Sequence, residues 1–507
     1  MTRPLITEAP TLLSPEELVG ALRGERGVVL LRSRMSDASA ARLSFVVARP
    51  FLRFRSFGSR CEIRSRDGGH EQFGNPWHVL DALMERYELL DEVDSPFPLG
   101  GCFGYWGFDL KNFVEPKLTR LAVNDLELPD CCVGFYSSVV VFDHRLDKTW
   151  IVSTGLDEDG SRHEERAREE FDFWQSRLRK NRVAEPAAPL RGGMTGGRAE
   201  KNPNANAVAI QPEVQSNLTR DEFIARVVRA QDYIRHGHIY QVNLSHRLAC
   251  ETDVNGWTLF ERLSGVSPAP FAAYLDGGDF QLASSSPELF LRLSGRHILT
   301  RPIKGTRPRS ADPTRDAQLT YELQTSAKEM AELVMITDLL RNDLGRVCEY
   351  GSVQVPELVR LERYTQIQHL VSTVEGRLRS GVTHFHAFAS CFPGGSVTGA
   401  PKIRALEIID ELEPITRGPY TGALGYLGFN RESQLSIIIR TAVTKGGRAY
   451  FNVGAGIVAD SDPAAEHEET MAKARGFLAA LSGAGSPAGK IRQEKSDHQC
   501  PEQRRLQ

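Results

Sequence analysis

Three tight turns constrain this chain more than any other feature. Asp276–Asp279, Ser294–His297 and Gly446-Gly447 each separate two short runs of β-branched or aromatic residues. Turns this short join antiparallel neighbours, because parallel strands need a crossover of a dozen residues or more. Long amphipathic helices alternate with these hairpins across residues 217–482, which predicts an α+β class rather than a doubly wound sheet. The stretch Asp316–Tyr350 has apolar residues at Leu319, Leu323, Met330, Leu333, Val334, Leu340 and Leu344, a helical period with one buried stripe. Thr219 and Glu222 have capping-box spacing and predict a helix opening after Thr219, a simpler reading of Asn217-Leu218-Thr219 than a glycosylation sequon.

Residues 1–180 carry further strand-like runs, and Val139–Phe142 is expected to pair with Trp150–Ser153 through Arg145–Lys148. Between the two regions, residues 181–216 are rich in Pro, Gly, Ala and Asn without any period, and read as a flexible linker or insertion. The polar, aperiodic 483–507 reads as a disordered tail. The chain has 507 residues, and at roughly 100–200 residues per domain that means two to four domains, or fewer large ones.

Composition removes whole classes of function. With 62 basic against 65 acidic side chains the net charge is −3, and no run of five like charges occurs, so nothing draws the chain to nucleic acid. No apolar run approaches the roughly 18 residues of a membrane span, and the first residues lack the order of a signal peptide, so a cytoplasmic location is expected. The eight cysteines form no C-x-x-C pair, which fits reduced thiols and argues against zinc.

Several motifs fail on inspection. Gly394–Gly399 has phosphate-loop spacing, but Ala400 and Pro401 stand where Lys and Ser/Thr are required. Gly454-Ala455-Gly456 lacks the third glycine of a dinucleotide fingerprint and sits in a hairpin pattern. His236 and His238 have no third metal ligand nearby.

Other constellations stay open. Glu329 and Glu332, and again Glu466 and Glu469, lie at i,i+3, so each pair shares a helix face. Either pair alone reads as a solvated surface; two such helices facing each other could hold Mg²⁺, which takes one or two carboxylates and an anionic substrate. Glu288 and Lys304 have their midpoint at residue 296, inside the Ser294–His297 turn, so a regular hairpin would make them cross-strand neighbours. That is either an ordinary ion pair or an acid beside a nucleophilic amine. The loop before Pro401 is expected to present helix N–H groups to an anion, and Arg440 and Lys473 are candidate carboxylate partners.

Taken together, Gln241–Ser245, Ser286-Pro287-Glu288, Pro302–Arg307, Asp338–Gly345, Gln368–Ser372, Gly394–Lys402, Ile439-Arg440-Thr441 and Gly454–Asp460 resemble the chorismate-utilising enzymes, in unbroken order over about residues 217–480. Leu30–Ser33, Gly100–Gly104 and Leu128–Asp130 resemble the family's N-terminal half more weakly. The resemblance implies antiparallel β-sheets packed as a sandwich with helices outside.

Within the family, Pro302–Thr306 and Gly395–Gly399 look like the aminodeoxychorismate synthase component I members, whereas anthranilate synthases usually have alanine where Lys304 stands. The resemblance implies that Lys304 attacks C2 of chorismate while Glu288 protonates the departing C4 hydroxyl, and that ammonia then resolves the adduct at C4. Gln241 stands where water-using relatives carry a basic lysine. By the same carry-over Glu332 and Glu469 ligate Mg²⁺, supported by Glu329 and Glu466. Thr306, His369, Ser396, Thr398, Tyr426, Arg440, Gly454, Ala455, Gly456 and Lys473 match positions lining the chorismate pocket. No glutaminase motif is present, so ammonia is expected from a separate glutamine amidotransferase subunit. Leu30-Leu31-Arg32-Ser33 departs from the L-L-E-S of tryptophan-regulated relatives. The rival readings are anthranilate synthase component I and a non-catalytic regulatory subunit.

Overall fold

Apolar and polar residues alternating at a period of two lay down most strands, and short turns fold them back on one another. The computed structural model describes residues 3–33, 42–90, 95–179, 213–364 and 367–483. Most of the expected linker and nearly all of the expected tail lie outside these residues. At the end of the linker Val214–Ser216 form a strand against Leu248–Cys250, a pairing too short to leave a period in the sequence.

Among the described residues the fold is two large antiparallel sheets of twelve strands each, with helices packed around them. All three diagnostic turns close hairpins: Phe271–Asp276 with Phe280–Ser286, Leu289–Ser294 with His297–Arg301, and Thr441–Lys445 with Arg448–Ile457. The hairpin Ser138–Asp143 with Lys148–Ser153 also forms, Trp150 standing opposite Val141. Strands from both sides of the linker share both sheets. Val29–Arg32 pairs with Phe271–Asp276 in one, and Gly101–Trp106 with Ala423–Gly428 in the other.

The largest core contains side chains of both sheets, and beside them Trp77 meets Phe388 and Phe392 at ring distances of 5.2 Å. Each such side chain contributes about 1.5–3 kcal/mol by leaving water. A separate core forms where the strand Gln241–Glu251 turns Val242 and Leu244 toward the helix Lys402–Leu412. Its period of two leaves Gln241 and Asn243 on the opposite face.

Helix starts follow their caps. Thr219 and Glu222 form the expected capping box, each side chain bonding the other's backbone N–H. The stretch expected as one helix from Asp316 is two, Pro313–Gln324 and Ala327–Gly345. Ser326 separates them, because its hydroxyl accepts from the Glu329 N–H and begins a new helix there. This break places Glu329 in a first turn. No helix among the described residues is long and apolar enough to cross a membrane, and the seven described cysteines are free.

Candidate active site

Residues from both sheets and from the helices Ala327–Gly345 and Pro463–Ser482 line a cavity of about 680 Å³. Glu288 enters it just before the strand Leu289–Ser294 and is 6% exposed. Burial pushes its carboxyl up to about 7, against the Ser396 hydroxyl, the charge of Lys304 and the Ile303 N–H, which favour the ionised form. Glu288 is therefore poised to exchange a proton near neutral pH.

Lys304 reaches the same cavity by a different route from the one its spacing suggested. The hairpin register pairs Leu289 with Arg301, and the strand Ile303–Pro308 then pairs with Ile367–Arg377, Lys304 opposite Leu370. Pro302 has no N–H to continue the first ladder, and bulges shift the register on both sides. Glu288 and Lys304 are thus neighbours around one cavity, not ladder partners. The carboxylate paired with Lys304 is Glu332, 3.9 Å away. Gly305, at φ +64°, forms the second bulge. A Cβ there would lie 2.7 Å from Leu323 Cδ1 and 3.1 Å from Glu329 Oε2.

The two carboxylate pairs do face each other. Glu329 and Glu332 come from the start of Ala327–Gly345, Glu466 and Glu469 from Pro463–Ser482, and all four line the cavity. Burial raises the Glu332 carboxyl, reinforced by Glu329 and Glu466 and opposed by Lys304 and Lys328. For Glu469 burial is outweighed, chiefly by Lys473, and the carboxyl is held below its ordinary value. Each acid has a cation: Arg307 lies 3.4 Å from Glu329, Lys328 3.6 Å from Glu466 and Lys473 2.8 Å from Glu469. Lys473 also donates to the Gly454 carbonyl at 2.9 Å. Among the described residues no three acidic, histidine or cysteine side chains converge as a metal-ligand set. The donors present suit a cation that takes only one or two carboxylates.

Arg440 has no such match. It lines the cavity at φ +50°, a left-handed backbone that costs a non-glycine residue of order 1–3 kcal/mol. Among the described residues no carboxylate pairs with its guanidinium, and burial lowers its pKa. Beside it, His369 is kept neutral, pushed down to about 4 by burial and by Arg440. Its Nδ1 bonds Thr306 Oγ1 at 2.9 Å, while Nε2 is buried without a hydrogen-bond partner among the described residues. An unmatched arginine and an idle imidazole nitrogen together make a wall suited to an anionic, oxygen-rich ligand.

A sequence profile described as chorismate binding enzyme matches residues 43–479. The chain belongs to the chorismate-binding enzymes. Anthranilate synthase component 1 of Thermus thermophilus is 41% identical over 429 residues, 84% of this chain and 87% of that one. Aminodeoxychorismate synthase component 1 of Bacillus subtilis is 36% identical over 447 residues, 88% and 91% of the two chains. The solved anthranilate synthase component I from Streptococcus pneumoniae superposes with a TM-score of 0.72 at 28% identity, over 93% of this chain and 99% of that one. The menaquinone-specific isochorismate synthase from Escherichia coli, at 19% identity, a TM-score of 0.66 and 94% of each chain, shares the fold.

In this chorismate-binding enzyme, Thr306, Ser396, Gly454 and Gly456 join the residues above in lining the cavity, but several expected positions do not. Tyr426 lies in the core, its ring stacked on Phe103 at 5.3 Å and edge-on to Phe45 at 4.9 Å. Strand alternation turns it toward the facing sheet. Tyr420, which sequence reasoning passed over, lines the cavity instead, burial pushing its hydroxyl up to about 12. Thr398 is buried, and its hydroxyl bonds the carbonyls of Gly394 and Gly395. Ala455 alternates away from Gly454 and Gly456 into the core beneath Lys402–Leu412. Gln241 sits behind Gly456: a Cβ on that glycine would clash with Gln241 Nε2 and lie 4.0 Å from Lys304 Nζ. The glycine-rich loop brings Ser396 and Val397 to the cavity rather than the helix start at Pro401, and Lys402 bonds Asp343 at 2.6 Å. Lys328 also went unnoticed, although a basic residue immediately before Glu329 was an available signal, and Arg307 and Asn243 fall inside motifs that carry the resemblance without having been singled out for the site.

Proposed function

We propose that this protein aminates chorismate at C4 with ammonia, giving 4-amino-4-deoxychorismate for 4-aminobenzoate and folate synthesis. The observation that carries this reading is an amine, Lys304, and a carboxyl held near pH 7, Glu288, in one cavity with an unmatched arginine. Lys304 as free amine bonds C2 of chorismate, both ring double bonds shift by one position, and the C4 hydroxyl leaves as water with the proton of Glu288. Ammonia then bonds C4 as the double bonds shift back and the C2–nitrogen bond breaks, so Lys304 leaves as the free amine, and the new C4 ammonium returns a proton to Glu288. Gln241 stands where water-using relatives have a lysine base, which favours ammonia over water as the second nucleophile.

Glu332 and Glu469, with Glu329 and Glu466 beside them, would hold Mg²⁺; the ion, when bound, neutralises the ring carboxylate of the substrate. Arg440 meets the side-chain carboxylate, and His369, Thr306, Ser396 and Lys473 orient the ring from the cavity wall. Ammonia is supplied by a separate glutamine amidotransferase subunit, in keeping with relatives named as component 1 of a synthase.

A second reading has its own support, since relatives 38% and 41% identical are named anthranilate synthase component 1. Mass analysis of products from chorismate, Mg²⁺ and an ammonium salt separates the two. Aminodeoxychorismate from the wild type, with most activity lost in Lys304→Ala, is the expected result. Anthranilate as the product would reject the amination reading.

A further inference from the structure

A second cavity, of about 350 Å³, is lined by strands of both sheets and shares no lining residue with the catalytic cavity. That volume lies in the range of small-molecule pockets, roughly 300–1,000 Å³. Its floor is apolar: Val29 and Leu275 from one sheet, Phe103 from the other. Its polar wall comes from the strand Leu52–Phe57, where Arg53 and Arg55, two residues apart, stand on one face.

These two guanidinium groups differ in what they meet. Arg55 donates to the Gly277 carbonyl and pairs with Asp279 at 3.0 Å. Arg53 is half-buried, and among the described residues neither a hydrogen bond nor an ion pair reaches its guanidinium. Of the acids in the wall, Glu25 pairs with Arg177 at 2.8 Å, and Asp276 accepts from the Gly278 N–H at 2.9 Å and lies within ion-pair distance of neither Arg53 nor Arg55. Cys132 cannot supply the missing charge, because burial raises its thiol above the ordinary value and keeps it protonated. The Tyr136 hydroxyl donates to the Gly27 carbonyl at 2.6 Å, which leaves its oxygen as an acceptor only.

Two like charges side by side over an apolar floor, one of them without an ion-pair partner among the described residues, are stabilised by an anion between them. We propose that this cavity is a second ligand site, for a small organic carboxylate with a compact apolar body. The carboxylate lies against the fork of Arg53 with Arg55 beside it, and the body rests on Phe103, Val29 and Leu275. The site is independent of the reaction at Lys304.

Benzoate is the probe, titrated by calorimetry into the full chain, with benzamide as its neutral isostere and inorganic phosphate as an anion without an apolar body. The experiment is run in Arg440→Met protein, so that the catalytic cavity does not take the probe through its own arginine. Saturable benzoate binding there, weakened at least tenfold by adding Arg53→Met and by replacing benzoate with benzamide, is the expected result. Arg53→Lys keeps the charge without the fork and is expected in between. Because Arg53 has no partner among the described residues, its replacement is expected to leave the melting temperature without probe unchanged, which separates loss of a site from loss of the fold. Benzoate affinity indifferent to Arg53, binding that vanishes with Arg440→Met alone, or phosphate binding as tightly as benzoate would each overturn the proposal.

Discussion

Arg417 and Arg440 bring the same charge into the interior and meet opposite surroundings. Arg417 is bound at every nitrogen: Nε and Nη2 donate to Glu413 at 2.8 and 2.7 Å, Nη1 to Val397 O and Thr421 Oγ1, and Nη2 to Asn243 O. The Phe108 ring lies 4.5 Å from its guanidinium carbon. Glu413 in turn accepts from the N–H and hydroxyl of Ser245. Arg440, on the cavity wall, has none of this among the described residues, and burial weakens its hold on its proton. A matched buried charge locks position, and here it locks Asn243 and Val397, both of which line the cavity. An unmatched one stores a binding opportunity for whatever anion enters.

The comparison breaks most visibly at Arg417. Arg417→Met leaves Glu413 buried without its counter-charge, and is expected to cost about 3–5 kcal/mol of stability in urea unfolding. A loss below 1 kcal/mol would show that the network is not what holds this wall. Arg440→Met is expected to reverse the pattern. Its urea midpoint stays level or rises, while chorismate binding weakens by about 2–5 kcal/mol in calorimetry. Equal losses of stability and binding would erase the distinction between the two arginines.

Glu288 sharpens the contrast through pH. Its folded carboxyl titrates near 7 against an ordinary 4.5, so the folded state keeps a proton that the unfolded chain releases between those values. The stability it contributes is therefore full below pH 4.5 and lost as pH rises through 7. Glu288→Gln, which cannot ionise, is expected to exceed the wild type by roughly 3 kcal/mol above about pH 8, the gap closing on acidification. A pH-independent difference in denaturation midpoints would contradict this. The smallest effect is a control outside both arginine sites: Thr219→Ala removes a helix cap, costing about 1 kcal/mol in thermal unfolding without changing turnover.

Much of the fold could be read directly from residues. The turns at Asp276, Ser294 and Gly446 placed three hairpins, because turn length leaves antiparallel pairing as the outcome. The Thr219 cap was equally local. Ser326 was missed because an apolar stripe continues across it, and a period does not register a cap that restarts the helix. The site divides in the same way. Spacing put Glu329 with Glu332 and Glu466 with Glu469, but whether those faces met was a question about two helices more than a hundred residues apart in the chain. Thr398 and Tyr426 were misplaced because motif order fixes neighbours along the chain, not which face of a strand or loop meets the cavity.

By itself, then, the sequence determined the periods, turns and caps, since each depends on residues within a few positions of one another. It also placed Lys304 and Glu288 near one another, although by a ladder that Pro302 interrupts. Only the tertiary structure decided that four carboxylates from two helices share one cavity, that Tyr420 and not Tyr426 faces it, and that Arg417 is matched while Arg440 is not. The physical reason is that burial and charge compensation depend on what packs against a side chain from distant parts of the chain. Two arginines with the same local chemistry therefore acquire different roles from their neighbours in space.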